Sequence, residues 1–435
     1  MRSFTLLVFF LLTIDAPAGA SPLLLTHATV IDGTGAPART DTTIDIDGNR
    51  IQALYPSGSQ PAPQNAKVED LRGRYVIPGL IDAHVHITDV EPDIAHYKTF
   101  LHVLLLGGVT GIRDMAGDAR LLGYLAQQTN TDAIAGPDLF YVALMAGPSF
   151  FAEDDRVQAS VPGGKAGATA WMRAIDATTD LPQSVAEAKG TGATGIKIYA
   201  NLPADLVAKI TAEAHRQGLR VWTHATIFPA KPSDAVAAGA DTISHSPYLV
   251  WEGVPSVPDD YSARTRGDFT HISPDAPQIL ALFNAMKQRG TILDATLHIF
   301  QFVAEHRAKD VSANILPWTY AVTKLAHEYG VAIDTGTDSE GFEDGADGSP
   351  NLTTMPVVHA EMALLVEHCG FTPIEAIHAA TQIGAMALGQ SATRGTIASG
   401  MRADLVVLTA DPTRNIHNTT KIAFVVKNGI EYRRH

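Results

Sequence analysis

The chain has 435 residues, 46% hydrophobic and 18% charged, a composition that argues against a disordered or membrane-spanning protein. Its formal net charge of -14 is the wrong sign for electrostatic binding to nucleic acid or anionic lipid. The length can hold two or three domains or one large α/β barrel with additions, and the single Cys369 leaves no intramolecular disulfide.

In chain order, Arg2 precedes an apolar run from Phe4 to Ile14 and the small residues Ala18-Gly19-Ala20. This pattern predicts a signal peptide over 1–20, cleaved near Ala20, and a periplasmic or secreted product. The run is too short for a stable span, so no membrane span is expected in the mature chain. Residues 21–75 show short alternating runs broken by Asp32-Gly33 and Asp47-Gly48, which are hairpin signals. The same pattern returns in 391–435, with strands expected over 403–408 and 422–429. Neither half has enough strands for a core of its own, and a small discontinuous β-sandwich built from both termini is expected.

Between them, over 76–390, apolar strand patterns alternate with helical ones, which implies parallel βαβ units. Strands are expected at 76–86, 108–114, 139–145, 195–199, 220–224, 241–245, 291–296 and 331–335. Helical patterns at 202–217 and 277–289 close on Gly218 and Gly290, residues suited to left-handed caps. Eight such units predict an α/β fold, a (β/α)8 TIM-type barrel, with chemistry at the carboxyl ends of its strands.

The distinctive polar residues fall at those ends. Val76-Ile-Pro-Gly-Leu-Ile-Asp-Ala-His-Val-His86 delivers His84 and His86 two residues apart, on one side of a strand. Lys197, His224, His245 and Asp338 follow on other strands. Taken singly, each reads as a packed histidine or a paired lysine. Together, imidazoles and a carboxylate converging on a barrel axis form a donor set suited to zinc and similar divalent ions.

These motifs resemble the amidohydrolase superfamily. Gly195-Ile-Lys-Ile-Tyr199, Trp222-Thr-His-Ala225, Ile243-Ser-His245 and Thr335-Gly-Thr-Asp-Ser339 are similar to its fourth, fifth, sixth and eighth strand motifs, and the 76–86 segment to its first. The likeness extends through His359-Ala-Glu361, the segment 372–381 and the return at 395–408, so it covers nearly the whole mature chain. It implies a binuclear centre of two divalent ions, zinc being expected. His84, His86 and Asp338 would hold one ion and His224 and His245 the other, with a carbon dioxide-derived carbamate on Lys197 bridging them. It also implies attack by a metal-bridging hydroxide, with Asp338 as the catalytic proton carrier.

The lysine motif most resembles exported prolidase-type and N-acyl amino acid amidases. The resemblance therefore implies a small-molecule amide substrate, an Xaa-Pro dipeptide or an N-acyl amino acid. In those relatives a tyrosine near the lysine helps bind substrate, the position of Tyr199. They also commonly carry a Gly-Gly-His-Gly turn after the third strand, where this chain has Met145-Ala-Gly-Pro-Ser-Phe-Phe151. The long loops 149–182 and 247–277 are expected over the barrel mouth, with Phe150, Phe151 and Trp251 lining an apolar substrate pocket. A lactonase or phosphotriesterase on the same two-metal site is the alternative, followed by a non-catalytic binding relative. A deaminase would place a glutamate where Ile227 stands. A homo-oligomer is compatible with the sequence.

Overall fold

The computed structural model describes residues 21–88, 94–307, 312–345 and 350–434. The expected signal peptide, 1–20, lies outside these residues. Among them no helix is long and apolar enough to cross a membrane.

Two sheets organise the chain. The first joins both termini: strands Leu23–Val30, Arg39–Asp47, Arg50–Pro56, Lys67–Asp70 and Tyr75–Pro78 share one hydrogen-bonded sheet with Leu405–Leu408, Ile422–Lys427 and Ile430–Tyr432. The terminal halves meet where Leu405–Leu408 runs antiparallel to Tyr75–Pro78. Buried Leu25, Ile44, Val76, Val407 and Phe424 form its own apolar core. Neither end could bury these residues without the other.

The apolar run at 76–86 is divided between the sheets. Tyr75–Pro78 belongs to the terminal sheet, and Leu80–Val85 is the first barrel strand. The break falls at Gly79, where a Cβ would stand 2.1 Å from Thr110 Oγ1. Only glycine lets the backbone pass this close.

The barrel strands are Leu80–Val85, Val109–Asp114, Asp138–Ala146, Gly195–Ile198, Arg220–His224, Thr242–Ser244, Ile292–Asp294 and Ile333–Asp334, paired in parallel in that order. All eight lie within or beside the stretches expected from the sequence. Between the eighth and first strands the link is a Val85–Ser339 bridge and the bond from Ala83 N to Thr335 O, 3.3 Å. A short strand, Met172–Ala174, pairs with the third barrel strand and shapes the loop that follows it.

At the amino end of the third strand, buried Asp138 ties barrel to terminal sheet. It pairs with Arg394 at 2.6 Å, Arg402 at 2.7 Å and Lys427 at 2.9 Å. Burial opposes ionisation of Asp138, yet these three cations hold its carboxyl below the ordinary range. Asp138→Asn leaves them without their common anion and is expected to cost roughly 3–5 kcal/mol of stability. Because the folded pKa is depressed, the contribution of Asp138 is complete above its unfolded pKa and is lost as pH falls through the folded value. Urea unfolding of wild type and variant at neutral and acid pH checks both the size and the sign. A gap unchanged down to the lowest pH at which both fold contradicts the assignment.

Candidate metal centre

Six side chains predicted from the sequence come together at the carboxyl end of the barrel. His84 is next to last in the first strand, Lys197 and His224 lie on the fourth and fifth, and His245 directly follows the sixth. His86 is two residues past His84. Asp338 is not on the eighth strand but in the loop beyond it. That loop is folded back onto the first strand, with Thr337 N and Asp338 N donating to His84 O at 3.2 and 2.9 Å.

The Asp338 carboxylate is the hub. Its Oδ1 lies 3.2 Å from Nε2 of both His84 and His86, and its Oδ2 lies 3.8 Å from His245 Nδ1. Two donors at about 2.1 Å from one tetrahedral zinc are roughly 3.4 Å apart, so Asp338 Oδ1 stands at ligand spacing from His84 and from His86. His84, His245 and Asp338 also each offer a donor atom within 4.8 Å of the other two. His224 packs against His245, ring centroids 4.6 Å apart, and its buried Nδ1 has no hydrogen-bond partner among the described residues. A buried polar nitrogen without a partner is costly unless something else meets it. Burial pushes the His245 pKa down to about 3 and that of His224 well below the ordinary value. Both are therefore neutral imidazoles, the form that ligates a metal.

Lys197 stands among them, fully buried, with Nζ 3.5 Å from His84 Nε2 and 3.3 Å from Met115 O. Burial lowers its pKa to about 8, against the opposing pull of Asp338 and Asp294. The neutral amine is thus close at hand near neutral pH. The donor set fits divalent ions: imidazoles held neutral, a carboxylate at ligand spacing, and a lysine that can shed its charge.

Several residues that hold the centre were not singled out in the sequence. Asp294, at the end of the seventh strand, accepts from His84 Nδ1 at 2.7 Å and Ser244 Oγ at 2.8 Å. This bond fixes the ring so that Nε2 faces Asp338. Burial would raise the Asp294 pKa, but His84 and Arg113 hold it near 2. Asp82 accepts from Thr337 N, Thr337 Oγ1 and His84 N, and so pins the loop that carries Asp338. Gly336 makes that loop feasible, since a Cβ there would be 2.0 Å from Asp294 Oδ1. Thr296 takes Nδ1 of His245 at 2.9 Å. Asp338, His245 and Thr296 all adopt left-handed backbone, with φ of 53°, 78° and 52°. Three non-glycine residues in this conformation show that the surrounding bonds impose the geometry.

The centre opens into a cavity of about 480 Å³. His86 and Asp338 are its accessible ligands, with side chains 25% and 23% exposed, while His84, His224 and Lys197 stay buried. Both long loops reach the cavity, through Arg156 and Met172 in one and Tyr248, Tyr261 and Arg264 in the other. Tyr199 lines it as expected, its ring 4.0 Å from His224 and its hydroxyl 3.2 Å from that of Tyr261.

The other three expected pocket residues are placed differently: Phe150, Phe151 and Trp251 do not line this cavity. Phe150 is buried behind Tyr199, ring centroids 4.7 Å apart, and borders an adjoining cavity of about 370 Å³. Phe151 packs against Phe150. Trp251 packs on Phe228 and donates its Nε1–H to Arg264 O. The aromatic wall is instead Tyr199, Tyr248, Tyr261 and Phe300, the last on the helix Leu297–His306. Buried Glu361 sets the start of that helix by accepting from Leu297 N and His298 N, and burial raises its pKa to about 8.

A parallel barrel that gathers histidines, a lysine and a carboxylate at its carboxyl end holds its candidate chemistry where such barrels carry their active sites. Residues 75–431 match the Amidohydrolase family, and the chain belongs to that family. Imidazolonepropionase of Deinococcus radiodurans is 24% identical over 394 residues, covering 87% of this chain and 88% of the relative. A solved Xaa-Pro dipeptidase with bound methionine superposes with a TM-score of 0.75 at 22% identity, covering 95% of this chain and all of the other. A putative prolidase from Bifidobacterium longum gives a TM-score of 0.70 at 25% identity, covering 95% of each chain. Membership of this family makes the chain a hydrolase.

Proposed function

We propose that the chain is an exported amidohydrolase that cleaves the amide bond of an N-acyl amino acid or an Xaa-Pro dipeptide with two divalent ions, zinc in the first instance. The observation that carries this reading is Lys197, buried with its Nζ 3.5 Å from His84 Nε2 at the focus of the histidines. In this assignment His84, His86 and Asp338 would hold one ion and His224 and His245 the other, and Lys197, if carboxylated by carbon dioxide, would supply a further oxygen ligand. Such ions, when bound, supply a Lewis acid for the amide carbonyl and make a water acidic enough to react near neutral pH.

The rest is the work of the chain. Asp338 faces the cavity and is kept ionised: burial would raise its carboxyl, but His84, His86 and His245 hold it well below the ordinary range. It receives the proton of the attacking water and delivers it to the leaving nitrogen, so that amide and water become carboxylate and amine. Asp294 holds the tautomer and direction of His84. The hydroxyls of Tyr199 and Tyr261, mutually bonded, offer a donor to the substrate oxygen beside His224.

The test is a hydrolysis screen of the zinc-loaded protein with N-acyl amino acids and Xaa-Pro dipeptides beside aryl lactones and phosphotriesters. Turnover of the amides is expected; turnover of the lactones or phosphotriesters alone rejects the reading. Export is checked by sequencing the mature amino terminus, which is expected at Ser21.

A further inference from the structure

The cavity wall opposite the chemistry has an unusual charge for so acidic a protein. Outside the candidate ligands, the charged residues lining it are Asp154 and three arginines, Arg156, Arg264 and Arg307. Arg156 is already engaged, its Nε 2.8 Å from Asp154 Oδ1 and a second nitrogen on Oδ2. Arg307 is exposed at the rim. Arg264 differs from both. It is only partly exposed, its guanidinium lies 4.3 Å over the ring of Tyr261, and the nearby carboxylate of Asp154, whose pKa the charge of Arg264 helps to lower, is ion-paired with Arg156.

Its position is fixed before any ligand arrives. Trp251 Nε1 donates to Arg264 O at 3.3 Å, and Arg264 NH1 reaches back to Tyr261 O at 3.4 Å. Tyr261 is the spacer to the reaction centre: its ring stacks near His224, centroids 5.3 Å apart, and its hydroxyl meets that of Tyr199. One aromatic ring therefore separates a planar cationic fork from a candidate metal ligand. Arg264 and His224 line the same cavity, on either side of the Tyr261 ring.

We infer that Arg264 is the specificity-determining residue that anchors a free carboxylate beside the scissile amide, so that the cavity selects acyl amino acids with an uncapped carboxyl group. This rests on the amide-hydrolase reading. A guanidinium fork matches a carboxylate with two parallel bonds, and a neutral group at the same place leaves the charge unpaired.

Calorimetric titration of the zinc-loaded protein with N-acetyl-phenylalanine and with its carboxyl-free counterpart, N-acetyl-phenethylamine, tests the inference. The acid is expected to bind about tenfold or more tightly than the counterpart. Arg264→Met keeps the stem over Tyr261 and is expected to erase that difference, Arg264→Lys to restore part of it, and Arg307→Met to leave it in place. Equal binding of the two compounds, no binding of either, or a preference that survives Arg264→Met overturns the inference. Acetate release is read separately. No hydrolysis of any amide by wild type counts against the proposed function, whereas the binding contrast still decides the role of Arg264.

Discussion

Lys197→Ala is expected to lose bound metal and activity together. Removing a partner that only orients a ligand typically costs 10- to 100-fold in metal affinity or activity, and Lys197 as a carbamate would be a ligand to both ions. A loss of at least about a hundredfold in turnover is therefore expected, with fewer than two ions retained per chain. Losing His224 removes a donor from one ion only and should leave the other in place. The fold should survive, since the Nζ of Lys197 meets only single groups, His84 Nε2, Met115 O and the Tyr199 ring face at 4.9 Å, among the described residues, and the strand around it is backbone-paired on both sides. Formate or acetate can occupy the vacated position and is expected to restore part of the activity. Metal content by mass spectrometry, beside far-ultraviolet dichroism, separates loss of the centre from loss of the fold. Full metal occupancy in Lys197→Ala removes the lysine from the centre.

Asp338→Asn is expected to act on the chemistry more than on the metal. The amide keeps an oxygen toward His84 and His86 but cannot carry a proton, and loss of a general base commonly costs roughly a hundredfold or more in rate. Folding should change little, because the loop is held by Thr337 and by backbone bonds to His84 O rather than by the carboxylate. Single-turnover rates at matched metal content check this. A rate within a few-fold of wild type takes Asp338 out of proton transfer. A large drop in melting temperature assigns it a structural role.

The barrel was legible because each strand is a short apolar run, five of them expected to end in a candidate ligand, with helical patterns between most runs. The ligands were legible for the same reason: residues at the ends of parallel strands must meet. What the sequence could not place was anything set by loops. Asp338 looked like a strand end, yet reaches the centre only because Asp82 and the His84 carbonyl draw its loop back. Phe150, Phe151 and Trp251 were counted as pocket residues because large aromatics in long loops can either pack or bind. Here Tyr199 and Tyr261 line the cavity, Phe150 packs behind both, Phe151 packs on Phe150 and Trp251 on Phe228. Arg264 had no periodicity to mark it. Asp294 was within reach of sequence reasoning, since His84 needs an acceptor for its second nitrogen and an aspartate ends the seventh strand. The division of 76–86 at Gly79 was hidden because both sheets bury that run, so its hydrophobicity does not change at the boundary.

The most direct measurement is anomalous diffraction from crystals of the zinc-loaded protein grown in the presence of bicarbonate. Two zinc peaks are expected, one within bonding distance of His84, His86 and Asp338 and one of His224 and His245, with density for a carbamate beyond Lys197 Nζ between them. A free ammonium at Lys197, with zinc at neither position, contradicts the account.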